Sequence, residues 1–341
     1  MIEIRGIKMS EIIIEKSILH ILDPNAGVPV LSAKGLPQDE SQEFFTKHIE
    51  RLWKDSELKE CEFDEGENPV RDVLDQSSGE HFAAFSQQLS EVLFSIMSAN
   101  VDIPAADVYF AVFRKDQGRY LGILKLNYKE AYTHSLVNMD EASSTSVIKY
   151  RTLFAGESQK IDECVFIDLS SKKLWIKERK YEINGQKDFY LSSLLLRTCP
   201  ARSYKEQYKL VEKSAEQVVK KFYSGDSLKQ AEVKMAIKNN VDENLEIDVE
   251  ELSKAAFADS PDMQRQYREE LSQKGFTEKK IKINQQIYED LEKNHKLITD
   301  IGIKMEIPTA LLKDPSKVEF IVNRDGTMSI LIKNVNEVKS R

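Results

Sequence analysis

The spacing of apolar residues changes at Cys199-Pro200, and this change constrains the fold more than any other feature of the sequence. Before it, short apolar runs with strand-like alternation are separated by turn residues, as in the hairpin pattern of 107–116 and 119–128. After it, apolar residues recur every three or four positions, which is typical of helices. We therefore predict an α+β protein, with an N-terminal α/β domain over 1–198 and a C-terminal helical domain over 199–341.

The N-terminal half predicts a mixed, largely antiparallel sheet with helices packed on it. Strands are predicted at 11–22, 28–32, 107–116, 119–128, 146–154, 163–169 and 173–183, with a turn at Asn184-Gly185. A helix after Pro37 is predicted to bury Phe45, His48, Ile49 and Leu52. A second helix over 79–99 is predicted to bury Phe82, Phe85, Leu89, Val92, Leu93 and Ile96.

The C-terminal half predicts a succession of helices. The helix over 202–223 carries an apolar stripe of Tyr204, Tyr208, Val211, Ala215, Val218 and Phe222, and it ends at Ser224-Gly225-Asp226. The next helix, 227–239, is predicted to pack through Leu228, Ala231 and Met235. Asp248 begins a further helix in a capping box with Glu251, and another helix runs from Ser260-Pro261 to Gly275.

A small β-hairpin is predicted to close the chain. Val318, Phe320, Val322, Met328, Ile330 and Ile332 alternate with polar neighbours on its two strands. Because alternate side chains of a strand share a face, one buried face is expected. An isolated hairpin has little stability of its own, so it needs a packing partner, either the C-terminal helices or a second subunit.

Four segments resemble a known family. They are EIIIEKSILHIL at 11–22, IDVEEL at 247–252, SPDMQRQYREELSQKGFTEKKIKIN at 260–284 and PSKVEFIVNRDGTMSILIKNV at 315–335. On these segments, the chain resembles the bacterial 37-kilodalton nucleoid-associated proteins over most of 10–335. The resemblance implies association with DNA, and it supplies no established catalytic residues.

Charge is distributed unevenly along the chain. The formal net charge of −8 has the wrong sign for a simple DNA-binding protein, which needs cations to meet phosphates. Residues 172–238, however, contain 16 Lys/Arg and 8 Asp/Glu, a net of +8, while the remainder has 33 basic and 49 acidic residues, a net of −16. An acidic stretch at 39–80 has 14 acidic and 5 basic residues. We therefore expect one basic face that meets nucleic acid.

The sequence lacks the signals of membrane and secreted proteins. No run of eighteen apolar residues is present, and Met1–Ser10 has no signal-peptide core. Cys61, Cys164 and Cys199 form neither a disulfide framework nor a zinc motif. We expect a cytoplasmic, nucleoid-located protein with no membrane contact. No cofactor or metal motif is present, and His20 is predicted to be a hydrogen-bonded structural residue.

A stripe of cations on the first C-terminal helix is the predicted DNA-binding site. Lys205, Lys209 and Lys213 recur every four residues, so they lie along one side of the helix and can follow a phosphate backbone. The full predicted set is Arg202, Lys205, Lys209, Lys213, Lys220 and Lys221, with Lys172, Lys173 and Lys177 from the preceding basic segment. The alternative is an ordinary solvated helix face, because Glu206, Glu212 and Glu216 interleave with these lysines.

A second cluster of cations has an ordinary explanation. It consists of Lys274, Lys279, Lys280 and Lys282. These residues follow a helix C-terminus, where the helix dipole favours cations in any protein. The cluster is therefore left out of the predicted site.

The predicted function is non-catalytic binding to chromosomal double-stranded DNA, chiefly through phosphates. One alternative is a metal-dependent nuclease that uses Asp168, Glu178 and Lys180, because such enzymes hold Mg²⁺ with two carboxylates beside a lysine. The other is an interaction module that docks on a DNA-bound protein partner, which the net negative charge favours. A homodimer is left open.

Overall fold

The computed structural model describes residues 12–39, 41–139, 142–154, 156–157, 159–223, 227–258, 260–293, 295–308, 311, 314–323 and 327–337. The chain divides into two compact units. The first extends to Trp53 and resumes over Leu58–Ala201, and the second comprises Lys54–Glu57 and the chain from Arg202 onward. The predicted division into domains 1–198 and 199–341 stays a prediction, because compact units need not fold independently.

The first unit combines helices with antiparallel strands. Its elements are, in chain order, β1 (Ile13–Leu22), α1 (Ser41–Trp53), β2 (Lys59–Cys61), α2 (Pro69–Val73), α3 (Phe82–Ala99), β3 (Ala106–Lys115), β4 (Gly118–Asn127), β5 (Lys129–Met139), β6 (Ala142–Leu153), β7 (Glu163–Asp168), β8 (Leu174–Lys177), β9 (Lys180–Ile183) and β10 (Gln186–Phe189). Short helical turns lie at Pro24–Ala26, Leu74–Ser78 and Leu191–Leu195.

A six-stranded antiparallel sheet forms the centre of this unit, in the order β1-β3-β4-β7-β8-β2. Strand β3 is buried from Ala106 to Phe113 because helices cover both faces of the sheet. On one face, Phe45 of α1 stacks on Tyr109, with ring centroids 3.7 Å apart. On the other, α3 packs in one core cluster with Phe110. A strand that is covered on both faces has a continuous apolar run, as this one does.

The two predicted helix faces are largely confirmed. All four residues predicted for α1 are buried. In α3, Phe82, Phe85, Leu89 and Leu93 are buried as predicted, but Val92 is exposed. Val92 immediately precedes Leu93, which turns it about 100° away from the buried face. The prediction for Val92 is therefore wrong.

One strand prediction is corrected near the N-terminus, and one strand in the middle of the unit was missed. Residues 28–32 form no strand, only a bridge between Ile21 and Val30. Strand β5, which was not predicted, pairs with β6 in a separate two-stranded ribbon.

The predicted strand 173–183 is in fact two strands. β8 stays in the six-stranded sheet, and β9 pairs with β10 across the predicted Asn184-Gly185 turn. The break falls at Glu178, whose side chain is buried and ion-paired with Lys59. The chain leaves the six-stranded sheet at this residue.

The second unit is mainly helical in its first part and carries short strand pairs. Its elements are α4 (Tyr204–Tyr223), α5 (Ser227–Asn239), β11 (Glu246–Asp248), α6 (Val249–Ala256), α7 (Pro261–Gln273), β12 (Lys280–Lys282), α8 (Gln285–Lys293), β13 (His295–Ile298), β14 (Lys304–Ile307), β15 (Val318–Val322) and β16 (Met328–Ile332). Its core cluster joins the apolar faces of α4, α5, α6 and α7. The predicted turn at Ser224-Gly225-Asp226 lies outside the described residues, as do the side chains of Leu228 and Ala231.

The predicted caps of the second unit are present. Asp248 accepts hydrogen bonds from the backbone N–H groups of the first turn of α6, and Ser260 accepts one from Met263 at the start of α7. Gly275 follows α7 with a φ of 70°, the left-handed conformation that glycine adopts without strain. Glu251, the predicted reciprocal member of the capping box, pairs with Lys254 instead.

The terminal hairpin is confirmed as β15 paired antiparallel with β16. The face that was predicted to be buried is only partly buried. Val318 is buried, Phe320 and Ile330 are half-buried, and Ile332 is exposed. The α+β class and largely antiparallel sheets are confirmed by the same pairings.

Candidate nucleic-acid interface

Helix α4 is positioned by a reciprocal cap at its N-terminus. The N–H and hydroxyl of Ser203 both donate to the Glu206 carboxylate, at 2.8 and 2.9 Å, and the Glu206 N–H donates back to the Ser203 hydroxyl at 3.2 Å. Val211, Ala215 and Val218 form the buried side of the helix. The predicted apolar stripe of α4 is thus confirmed at its centre, whereas Phe222 is exposed near the helix end.

Three lysines of α4 lie in solvent on the other side. Lys209, Lys213 and Lys220 are exposed, and none of them forms an ion pair with any residue that the structure describes. Four residues of helix advance about 6 Å along the axis, so Lys209 and Lys213 lie one turn apart. Unpaired cations in this spacing can contact successive anionic groups.

Lys209 and Lys213 border a surface pocket of about 320 Å³. Its lining residues are Arg202, Glu206, Lys209, Leu210, Lys213 and Lys274. Four cations and one carboxylate give the lining a formal charge of +3. The Glu206 carboxylate is already engaged by the helix cap, so an anion that enters the pocket meets mainly cations.

Contacts between the end of α7 and the region of α4 hold two of the pocket's cations in place. Arg202 donates from Nη2 to the carbonyls of Lys274 and Gly275, at 3.2 and 3.1 Å. The Lys274 ammonium donates to the Ser214 hydroxyl at 2.9 Å and to Gln217 at 2.6 Å, both on α4. The carbonyl end of a helix favours a cation. Lys274 also lies 3.9 Å from the Glu270 carboxylate, one turn earlier on α7. Because its ammonium donates to α4, Lys274 belongs with the α4 lysines, although the sequence predicted a separate cluster.

The remaining predicted cations have partners. Lys205 forms an ion pair with Glu57 at 2.7 Å, and Lys221 donates to Gln266. In the first unit, Lys172 lies 3.8 Å from Asp75, and Lys173 lies 3.2 Å from Glu60. Each of the three ion pairs lowers the positive charge that its lysine presents to a ligand, whereas the contact of Lys221 with the neutral Gln266 amide orients its ammonium without neutralising it.

The whole-chain comparison agrees with the expected family. The sequence matches the family model described as nucleoid-associated protein YejK over residues 18–339. The chain belongs to the family of nucleoid-associated protein YejK. The resemblance first inferred from four segments is thereby confirmed. A search among curated proteins finds no match.

One predicted contact residue of this family member is corrected. Lys177 is 3% exposed, and its ammonium donates to the carbonyl of Ile161 at 2.9 Å. A buried ammonium that is satisfied inside the protein cannot meet a DNA phosphate in this fold. We therefore remove Lys177 from the predicted interface.

The nuclease arrangement is not assembled either. Asp168 lies beside Lys173, since its N–H donates to the Lys173 carbonyl at 2.9 Å. Glu178 lies five residues further along an extended strand, roughly 16 Å away, and its buried side chain is ion-paired with Lys59. Lys180 begins β9 in the separate ribbon. The three side chains therefore do not surround one metal ion.

Two further properties of this family member concern metal ions and membranes. Among the described residues, no group of three or more His, Cys, Asp and Glu side chains could hold a metal ion. No helix in the described part of the chain is long and apolar enough to span a membrane.

Proposed function

We propose that this nucleoid-associated protein binds double-stranded DNA through its phosphates, with little sequence readout and without catalysing a reaction on it. The proposed contact surface, called here the α4 face, consists of Arg202, Lys209, Lys213, Lys220 and Lys274. The observation that carries the proposal is the set of exposed lysines that lack ion pairs, two of which line a pocket with a formal charge of +3.

The charge distribution supports this assignment. A chain with a net charge of −8 repels DNA as a whole, so binding depends on a local surface where cations outnumber anions. On the α4 face, the Glu206 carboxylate is engaged in the helix cap, and Lys274 is directed by hydrogen bonds. Contacts from ammonium and guanidinium groups to phosphate carry no sequence information, which accounts for the proposed lack of readout. The proposed location is the nucleoid, in the cytoplasm.

A salt titration of the full chain on duplex DNA tests the function. We expect log K to fall linearly with log salt, by about 0.9 for each phosphate contact, and to change little between unrelated duplex sequences. Parallel samples with Mg²⁺ and with EDTA test for catalysis, and we expect the duplex to stay intact in both. Metal-dependent strand scission would contradict the non-catalytic part, and absence of salt-dependent binding would favour the interaction-module alternative.

A charge-reversed variant tests the surface. Lys209→Glu, Lys213→Glu and Lys220→Glu together should lower the salt slope by about 2.7, or 0.9 for each lost contact. Lys205 is left unchanged, because a carboxylate there would face Glu57. The matched control is Lys34→Glu, Lys187→Glu and Lys304→Glu, which changes the net charge equally at exposed lysines without ion pairs in the described structure. Equal slopes for the two variants would show that the α4 face is not the contact surface.

A further inference from the structure

The ribbon of β5 and β6, called here the arm (129–153), pairs with no other strand of the described structure. The two strands pair only with each other over their length. Its base is held by an ion pair between Glu130 and Lys149 and by Phe154, whose ring stacks on Phe44 of α1 at 6.1 Å. An isolated two-stranded hairpin has marginal stability in water, so an arm of this length needs a surface against which to pack.

One face of the arm carries three apolar side chains that are open to solvent, alternating with His134, Thr145 and Lys149. The register pairs Tyr132 with Lys149, His134 with Val147 and Leu136 with Thr145, and paired residues share a face. On this face Tyr132 is 73% exposed, Leu136 56% and Val147 74%. Contiguous exposed apolar side chains in a native protein usually mark an interaction surface.

The charge pattern indicates which partner fits. The stretches 131–139 and 142–148 contain no Lys, Arg, Asp or Glu. Exposed strands are usually protected by charged side chains, above all lysine, and the two stretches without charge lack that protection. DNA is a poor fit as the occupant because Lys149, which the register places on this face, is already ion-paired with Glu130. A two-fold contact places each residue close to its own copies, so a face without net charge is suited to self-contact.

We infer that the arm is a self-association surface, in which the face of Tyr132, Leu136 and Val147 packs on the same face of a second copy of the chain. Strands β5 and β6 have 11 and 12 residues. At about 3.4 Å per residue and two strand widths of about 4.8 Å, one face covers roughly 350 Å² in projection. A standard interface buries about 800 Å² per partner. The dimer is accordingly of the weak, concentration-dependent class, with a Kd on the order of micromolar.

Sedimentation of the full chain without DNA tests the inference. Between about 1 and 100 μM, the mass should rise from the 39.2 kDa of one chain toward twice that value. Leu136→Lys with Val147→Lys should weaken association at least about tenfold, because both ammonium groups would be buried without partners. The control, Thr133→Lys with Ser146→Lys, adds the same charge to the opposite face of the arm and should leave the mass curve unchanged.

Three results would overturn the inference. They are a wild-type chain that stays monomeric at the highest concentration, a dimer that the Leu136/Val147 variant does not weaken, and an equal loss in the control. Should the lysine variant lose its calorimetric transition, Leu136→Ser with Val147→Ser provides the same comparison without added charge. Because DNA is absent from the measurement, its outcome is independent of the proposed function. If the Leu136/Val147 variant weakened duplex binding while the wild type remained monomeric, the arm would be a DNA contact.

Discussion

The first unit holds several lysines inside its fold, whereas helix α4 of the second unit holds its lysines in solvent. Lys125 is 2% exposed and lies 3.2 Å from the buried Glu163 carboxylate. Lys177 donates to a buried carbonyl, as described above. Lys209 and Lys213, by contrast, are exposed and lack ion pairs in the described structure. The same residue type therefore stabilises one unit and remains available to a ligand in the other.

The buried cluster around Glu163 shows what the first unit requires of its charges. The carboxylate accepts hydrogen bonds from Asn127 and from the Tyr181 hydroxyl, both at 3.0 Å, in addition to its contact with Lys125. Burial lowers the pKa of Lys125, and the Glu163 charge acts in the opposite direction. Burial also raises the pKa of Tyr181, and the nearby Glu163 charge raises it further. Each charge in this cluster is stabilised only by its partners.

The largest effect is expected when that cluster is broken. Lys125→Met should lower the free energy of unfolding of the first unit by about 3 to 5 kcal/mol, because the buried Glu163 carboxylate loses its counter-charge. Urea denaturation of the full chain measures the loss. Lys34→Met, at an exposed position, is the control and should be neutral within about 0.5 kcal/mol. A loss below about 1 kcal/mol for Lys125→Met would show that the pair is not essential to the fold.

A buried histidine extends the comparison to pH. His20 is buried, its Nδ1 accepts the Ser32 N–H at 3.0 Å and its Nε2 lies 2.9 Å from the Ser86 hydroxyl. Burial lowers the pKa of His20 from 6.5 to about 4. The unfolded chain therefore binds the proton more readily than the folded chain between these values, so the stabilisation is complete above pH 6.5 and is lost as the pH falls toward 4.

The expected loss is about 3 kcal/mol over that pH range. Calorimetry from neutral pH downward measures it, with His20→Gln as the comparison, since glutamine keeps a polar group but does not titrate. The wild type should lose more stability than the variant between pH 6.5 and 4. Parallel pH profiles for the two proteins would contradict the assignment. The sequence-based prediction that His20 is a hydrogen-bonded structural residue is confirmed by its two contacts.

Local periodicity predicted the elements whose apolar residues recur with the period of a strand or a helix. The hairpin pattern at 107–116 and 119–128 became β3 and β4, and the apolar face of α1 is buried residue for residue. Strand β5 was missed because its described residues are largely exposed, and His134 interrupts the apolar alternation between Tyr132 and Leu136. The apolar faces predicted for α3 and α4 each include one residue that is exposed, Val92 and Phe222.

Charge counting was less informative about the site, because the use of a cation depends on distant residues. The net of +8 over 172–238 includes Lys177, which lies inside the first unit. Lys274 lies outside that range. It joins the α4 face because α7 packs beside α4, and the Lys274 ammonium donates to the hydroxyl of Ser214, 60 positions earlier in the sequence. Spacing along one helix predicts which lysines share a side, but not which of them pair with residues elsewhere in the chain.

The smallest expected effects come from two single substitutions, and they test most directly the comparison between buried and exposed lysines. Lys213→Gln should lower the salt slope of duplex binding by about 0.9 and leave the melting temperature unchanged, because an exposed lysine without an ion pair contributes a phosphate contact but little stability. Lys177→Gln should do the reverse. It should lower the stability of the first unit by about 1 to 3 kcal/mol through the unsatisfied Ile161 carbonyl, and leave the slope unchanged. Binding and calorimetry on both variants form a two-by-two comparison. If Lys177→Gln lowered the slope in a fully folded protein, or Lys213→Gln lowered the melting temperature, the distinction between inward and outward lysines would fail.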